Sequence, residues 1–227
     1  MSGATITERL AQHVAEALQQ ALEQRGHALL AVSGGKSPIA MFERLRQSAL
    51  NWSAVTVVLV DERCVPHTHP DSNTALVRQH LLQGPAAAAT FVPFFDHLPE
   101  GELRDAALAA LAQAAQQRLA ALPWPLDVGI LGMGEDGHTA SLFPHAPGLA
   151  QALSSQESVA WVRPSTAPHA RLTLTLHALR SARELHLSIA GETKRAVLAR
   201  AQAGIVADHP VSYVLQAGGA PVHVWTS

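Results

Sequence analysis

The sequence predicts an α/β fold, a mostly parallel sheet flanked by helices, in a single domain covering residues 1–227. Three observations carry this. Short β-branched, apolar runs alternate with longer stretches of helical period, the order from which parallel sheets are built. Several of those runs end directly in glycine-rich or charged turns, and open α/β sheets present their ligand groups at such carboxyl ends. The 227 residues are 48% hydrophobic and only 15% charged, a composition that suits a packed core rather than disorder.

The elements follow in order. Thr5 to Gln24 places Ile6, Leu10, Val14, Leu18 and Leu22 on one helical stripe, and Gly26 is a natural stop. Ala28 to Val32 reads as a strand, and Pro38 opens a helix through about Arg46. Val55 to Val60 is an unbroken β-branched strand. Asn73 is expected to cap a helix to Leu82. A short strand is expected near Phe91 to Phe95, then an Ala-rich helix from Glu102 to Leu122 closed by Pro123 and Pro125. Val128 to Leu131 is a buried strand. Gly148 to Ser158 reads equally as helix or loop, and Val159 to Val162 as a short strand. Arg171 to Leu176 alternates as a strand should. Glu184 to Ala190 is a strand with apolar residues at 185, 187 and 189, followed by a helix from Glu192 to Gln202. Val222 to Trp225 is the last strand.

Composition narrows the function. A formal net charge of −2 argues against a basic nucleic-acid-binding surface. One cysteine, Cys64, excludes an internal disulfide framework and points to a reducing compartment, so a cytoplasmic location is expected. Met1 to Arg9 lacks the basic-then-apolar plan of a signal peptide. No apolar run is long enough to suggest a membrane span, and no membrane partner is expected. A monomer is favoured over an oligomer.

The chemistry gathers around Gly132-Met133-Gly134-Glu135-Asp136-Gly137-His138. His138 is the one side chain there that exchanges a proton near neutral pH without a perturbed pKa. The glycines spell a dinucleotide fingerprint, but Glu135 and Asp136 would repel a pyrophosphate, and Pro144 leaves little room for the helix that should hold it. A tight turn with a core-capping histidine is the plain alternative. Ser33-Gly34-Gly35-Lys36-Ser37-Pro38 lies between strand and helix, the layout that cradles an anion. It is not a P-loop, because Leu30 stands where that motif needs glycine. Asp61-Glu62-Arg63 closes a buried strand with more charge than a turn needs. Lys194, in the first turn of a helix, opposes the helix dipole unless it reaches toward an anion. No His-Glu-x-x-His or paired-cysteine pattern suggests a metal. No Gly-x-Ser-x-Gly elbow suggests an acyl-enzyme.

Together, Ser33-Gly34-Gly35-x-x-Pro38, Asp61-Glu62-Arg63-x-Val65-Pro66 with Ser72-Asn73, the Gly132 to Pro144 segment, Arg171-x-Thr173-Leu174-Thr175 and Gly191-x-x-Lys194 resemble the 6-phosphogluconolactonases. The resemblance spans about residues 29 to 200, in that family's order. It implies a Rossmann-like α/β sandwich, no metal, no organic cofactor, and hydrolysis of 6-phospho-D-glucono-1,5-lactone in the oxidative pentose phosphate pathway. The small-molecule partner is then a sugar-phosphate lactone. His138 is the candidate base for an attacking water. Asp61 orients His138 or binds sugar hydroxyls, and Arg63 holds Asp61 or meets substrate oxygens. Ser33, Gly34, Gly35, Arg171 and Lys194 are the candidates for the phosphate, and N–H groups at Gly134 and Gly137 for the oxyanion. Lys36 departs from the family's usual small hydroxyl residue. It either adds charge to the phosphate loop or faces solvent. Two other readings compete: an amino-sugar-phosphate deaminase, and a silent sugar-phosphate-binding module. Deaminases of this superfamily continue past the histidine with an Asn-Glu-Pro segment, whereas Ser141-Leu142-Phe143-Pro144 offers no acid.

Overall fold

The structure is a computed structural model that describes residues 4–216 and 218–227, so the first residues of the Met1 to Arg9 segment lie outside it. Along the chain run α1 (Ile6–Arg25), β1 (Ala28–Val32), α2 (Ile39–Leu45), β2 (Val55–Leu59), β3 (Asp61–Arg63), α3 (Asn73–His80), β4 (Thr90–Val92) and α4 (Asp105–Ala120). Then come β5 (Val128–Leu131), α5 (Leu149–Ser154), β6 (Val159–Val162), β7 (Arg171–Leu174), α6 (Leu176–Arg180), β8 (Glu184–Ile189), α7 (Glu192–Ala203), α8 (Val211–Gln216) and β9 (Val222–Thr226).

Six strands form a parallel sheet in the order β4-β2-β1-β5-β8-β9. The chain winds outward from β1 in one direction and from β5 in the other. The point where strand order reverses therefore lies between them, and open α/β sheets form their ligand crevice at such a point. β1 and β5 are buried along their whole length, which is why their sequences are continuous apolar runs rather than alternating ones. α1 is set by a capping box. Thr5 Oγ1 accepts from the Glu8 N–H at 3.2 Å, and the Glu8 carboxylate accepts from the Thr5 N–H at 2.9 Å. Its buried stripe is Leu10, Ala11, Val14, Leu18 and Ala21. No helix is long and apolar enough to cross a membrane among the described residues.

A second sheet, β3-β7-β6, is antiparallel, and a mostly parallel reading of the chain did not foresee it. Its origin is local. The Val60 N–H donates to Val32 O in the main sheet at 2.9 Å, while Val60 O accepts from the Leu174 N–H of the small sheet at 2.8 Å. The run expected over Val55 to Val60 thus ends at Leu59, and Val60 hands the chain from one sheet to the other.

Other boundaries move for equally local reasons. β7 stops at Leu174 because Thr175 Oγ1 caps α6, accepting from the Ala178 N–H at 3.2 Å. The cap of α3 is Ser72, whose hydroxyl accepts from the Ala75 N–H, not Asn73. β4 ends before Pro93, which has no N–H for a ladder. α5 occupies only part of the Gly148 to Ser158 stretch.

Candidate functional site

At the switch point a cavity of about 250 Å³ opens at the carboxyl ends of β1 and β5. It is lined by Ser33, Gly34 and Gly35 after β1, and by Gly132, Met133 and Gly134 after β5. Asp61, Arg63 and Arg171 reach it from the small sheet, His138 from the glycine turn, and Lys194 from the first turn of α7. Of the residues given a catalytic, phosphate or oxyanion role from sequence, Gly137 alone is absent from this lining.

His138 is fixed by its own turn. Asp136 Oδ1 lies 2.6 Å from His138 Nδ1 and also accepts from the His138 backbone N–H at 3.1 Å. With Nδ1–H donating to that carboxylate, Nε2 is the nitrogen left to exchange a proton. Burial works against the charge of Asp136, but the bond and attraction from His138 outweigh it and hold the carboxyl below its usual range. The imidazole stacks on Phe143, with ring centroids 4.0 Å apart and planes at 20°. Gly134 leaves room for this pair: a Cβ there would stand 2.3 Å from the His138 ring.

Two expectations are corrected here. Asp61 does not orient His138; Asp136 does. Asp61 is buried and tied elsewhere, accepting from Ser141 Oγ at 2.6 Å and from Asn73 Nδ2 through its backbone oxygen at 2.8 Å. Nor do Gly134 and Gly137 offer oxyanion donors. The Gly134 N–H donates to His138 O at 2.9 Å, and the Gly137 N–H to Gly134 O at 3.1 Å. Gly137 packs instead under His209, where a Cβ would meet atoms at 2.7 Å.

The cationic wall comes from register. Arg63 of β3 stands directly across from Arg171 of β7. Like charges facing each other in a ladder are unfavourable unless an anion sits between or beside them. Arg171 is buried, donates to Pro168 O at 2.7 Å and His169 O at 2.9 Å, and lies over the Phe143 ring at 5.0 Å. Burial lowers its pKa, and Asp61 pushes it back up. Arg63 makes no hydrogen bond to Asp61. It donates through Nη1 to Asp71 O and lines the cavity, while its Nε is buried without a partner.

Across the cavity, Gly34 is required by close approach, because a Cβ would lie 1.7 Å from Asn73 Oδ1. That buried Oδ1 has no hydrogen-bond partner. The Ser33 hydroxyl donates to Ile130 O at 2.8 Å, so its proton is committed to the strand and only its lone pairs face the site. Lys36 is exposed and outside the lining, which settles it as a solvent-facing residue. Cys64, next to Arg63 in sequence, is buried, and burial, then the charge of Glu62, pushes its thiol up to about 12.

Asp136, Asn73, Ser141 and Phe143 are the parts not assigned a role from sequence. The spacing Asp136-x-His138 was a usable signal, since an aspartate reaches the N–H two residues on in an Asx turn. Asn73 and Ser141 act through the fold and carry no such local sign.

Comparisons with known proteins show what sequences and folds this chain is similar to. The family pattern described as "Glucosamine-6-phosphate isomerases/6-phosphogluconolactonase" matches residues 2–225. A 6-phosphogluconolactonase of Neisseria meningitidis is 44% identical over 99% of this chain and 95% of its own. One of Pseudomonas aeruginosa is 47% identical over 87% of this chain and 81% of its own. The crystal structure of a 6-phosphogluconolactonase from Shewanella baltica superposes with a TM-score of 0.89 at 37% identity, covering 98% of this chain and 93% of that one.

Proposed function

The chain belongs to the glucosamine-6-phosphate isomerase/6-phosphogluconolactonase family, and from that premise we propose that it hydrolyses 6-phospho-D-glucono-1,5-lactone to 6-phosphogluconate by direct attack of water, with His138 as general base. One observation carries the reading. The imidazole of His138 is oriented by Asp136 through Nδ1, with Nε2 left free, beside a cavity that also holds Arg63, Arg171 and Lys194.

The steps follow from that arrangement. Nε2 takes a proton from water as the oxygen attacks the lactone carbonyl. Charge builds on the carbonyl oxygen, and the guanidinium of Arg63, which lines the cavity, is the cation placed to offset it. When the tetrahedral intermediate collapses, the ring oxygen leaves and takes the proton back from His138, so the acid product and the free hydroxyl form without a covalent enzyme intermediate. Asp61, held by Ser141 and Asn73, accepts from sugar hydroxyls. Arg171, Lys194 and the Gly34–Gly35 turn take the phosphate, while Ser33, whose hydroxyl and backbone N–H both donate to Ile130 O, shapes the turn and donates nothing to the phosphate. Lys194 has no carboxylate partner among the described residues, and its helix start favours an anion.

Stopped-flow hydrolysis of freshly made lactone tests this, since the substrate also opens spontaneously. The native chain should exceed that background, and His138→Ala should lower kcat by roughly 10²-fold or more. A folded His138→Ala chain with near-native kcat removes His138 from the role. The proposed step needs no metal, so exhaustive chelation should leave kcat unchanged. We extend the reading to one lactonase domain spanning residues 1–227, acting as a cytoplasmic monomer. A continuous core supports the single domain, and the lone buried cysteine suits a reducing compartment.

A further inference from the structure

Away from the cavity, β8, β9 and α1 bring four unusual side chains together. Side chains alternate along a strand, so Glu184 and His186 share the face of β8 opposite its apolar residues. His223 of β9 is the register partner of His186, and the two rings stack at 5.2 Å. α1 covers this face and adds His13, whose ring lies 5.3 Å from that of His223. His13 Nε2 is 3.9 Å from Glu184 Oε1, and His223 Nε2 is 3.7 Å from Glu184 Oε2. All three ligand atoms fall within 4.8 Å of one another.

We propose that His13, Glu184 and His223 bind one divalent transition-metal ion of the zinc class. Two imidazoles and a carboxylate are the donors zinc, cobalt and nickel prefer, whereas magnesium and calcium take oxygen alone. A zinc ion about 2.0–2.1 Å from each donor sets donor atoms roughly 3.3 Å apart. The His13–Oε1 and His223–Oε2 distances need to close by under an ångström each, and the remaining donor spacing, within 4.8 Å, by up to about 1.5 Å, within reach of side-chain rotation.

The carboxylate is already aimed. Trp225 Nε1 can only donate, and it lies 3.1 Å from His186 Nδ1. His186 therefore carries its proton on Nε2, which donates to Glu184 Oε1 at 3.1 Å. The chain Trp225 to His186 to Glu184 uses both nitrogens of the fully buried His186, so His186 supports a ligand and is not one. The side chains of His13 and His223 are each 41% exposed, which leaves an entry path and room for water in the fourth position.

A second cluster, His69, Asp71 and His169, is already tied by its own hydrogen bonds. His69 Nδ1 accepts from the Asp71 N–H at 3.1 Å, and Asp71 is held by His169 at 2.9 Å. The His13 site is also separate from the cavity. Glu184 lies roughly 13 Å along β8 from Ser188, which lines the cavity, at about 3.3 Å per residue. An ion there ties the first helix to the last two strands of the sheet.

Zinc chloride titrated into chelator-treated, dialysed native protein tests the assignment by calorimetry, with thermal unfolding in parallel. Binding of one ion per chain and a rise in Tm of about 5 °C or more are expected at large excess over Kd. The double variant His13→Ala/His223→Ala should lose both effects and keep the native Tm in chelator. His13→Ala alone, which removes one half-exposed ligand and leaves both strands intact, should weaken the affinity about 10-fold or more, and it serves if the double variant does not fold. His69→Ala should bind as native does. Absence of binding by the native chain overturns the proposal, and so does undiminished one-to-one binding by His13→Ala, which would put the ion elsewhere.

Discussion

Two hydrogen bonds to one carboxylate oxygen set the direction of the histidine proposed as the base of this site. Asp136 Oδ1 grips both the backbone N–H and the Nδ1 of His138, which fixes the ring's tautomer and direction together. Asp136→Asn keeps the shape but presents an amide that can donate to Nδ1, inviting the wrong tautomer. Its kcat should fall by roughly 10²-fold, less than loss of the base itself would cost, with KM little changed. An unaltered kcat would remove Asp136 from the orienting role. The same pair sets a pH dependence. The folded Asp136 carboxyl lies below its ordinary value. Its stabilisation is therefore present above the unfolded carboxyl pKa of about 3.9 and is lost as pH falls through the lower folded value. Urea unfolding should show native protein more stable than Asp136→Asn at pH 7, with the gap narrowing at pH 3. A gap that stays constant would mean the pair's charge contributes nothing. His138 was legible in the sequence because few residues in a glycine turn move protons at neutral pH. Asp136 was visible only as a charge hostile to phosphate, since its partner is set by the curl of the turn.

At the scale of elements, the decisive object is β3, a three-residue strand that supplies Asp61 and Arg63 to the cavity and Glu62 to the interior. Glu62 is fully buried and accepts from the N–H groups of Arg63, Asn73 and Thr74 and from the Ser72 hydroxyl. Burial raises its carboxyl pKa against all of those bonds. Read along the sequence, Asp61-Glu62-Arg63 is a triplet with more charge than a turn needs, of which Asp61 and Arg63 were the site candidates. Strand alternation divides it, sending the first and third residues to the cavity and the second under the start of α3. Glu62→Ala strands several buried donors at once and leaves a void. It should destabilise the chain by about 3 kcal/mol and lower Tm by roughly 10 °C. An equally stable Glu62→Ala would mean water replaces the carboxylate fully. Val60 explains why the second sheet was not legible: its apolar side chain continues the β2 pattern while its two backbone groups serve different sheets.

Over the whole molecule, the parallel sheet was legible because β1, β2 and β5 are local apolar runs, β8 alternates as a strand should, and β1 and β5 end in glycine turns that mark the crevice. Groups joined across layers were not legible. The His13 cluster draws on both ends of the chain, and the Arg63–Arg171 register exists only once β3 meets β7. The cavity is in the same way a junction, with Lys194 arriving from the main sheet through α7 and the two arginines from the small sheet. An anion held by both sides ties the sheets together and stabilises the fold by mass action. At a hundredfold excess over Kd that linkage contributes about 2.7 kcal/mol, roughly 5–10 °C in Tm for a chain this long. The product 6-phosphogluconate should raise Tm by that amount, and unphosphorylated gluconate should do little. Lys194→Ala should remove most of the shift while leaving the ligand-free Tm near native. In the lactone assay the same substitution should raise KM about 10-fold or more, if one charge-assisted contact contributes roughly 1.5–3 kcal/mol. A phosphate bound far from the reacting carbonyl holds ground state and transition state alike, so kcat should change less. If gluconate protects the native chain as well as its phosphate ester does, the cations are not gripping a phosphate, and their face-to-face charges need another explanation.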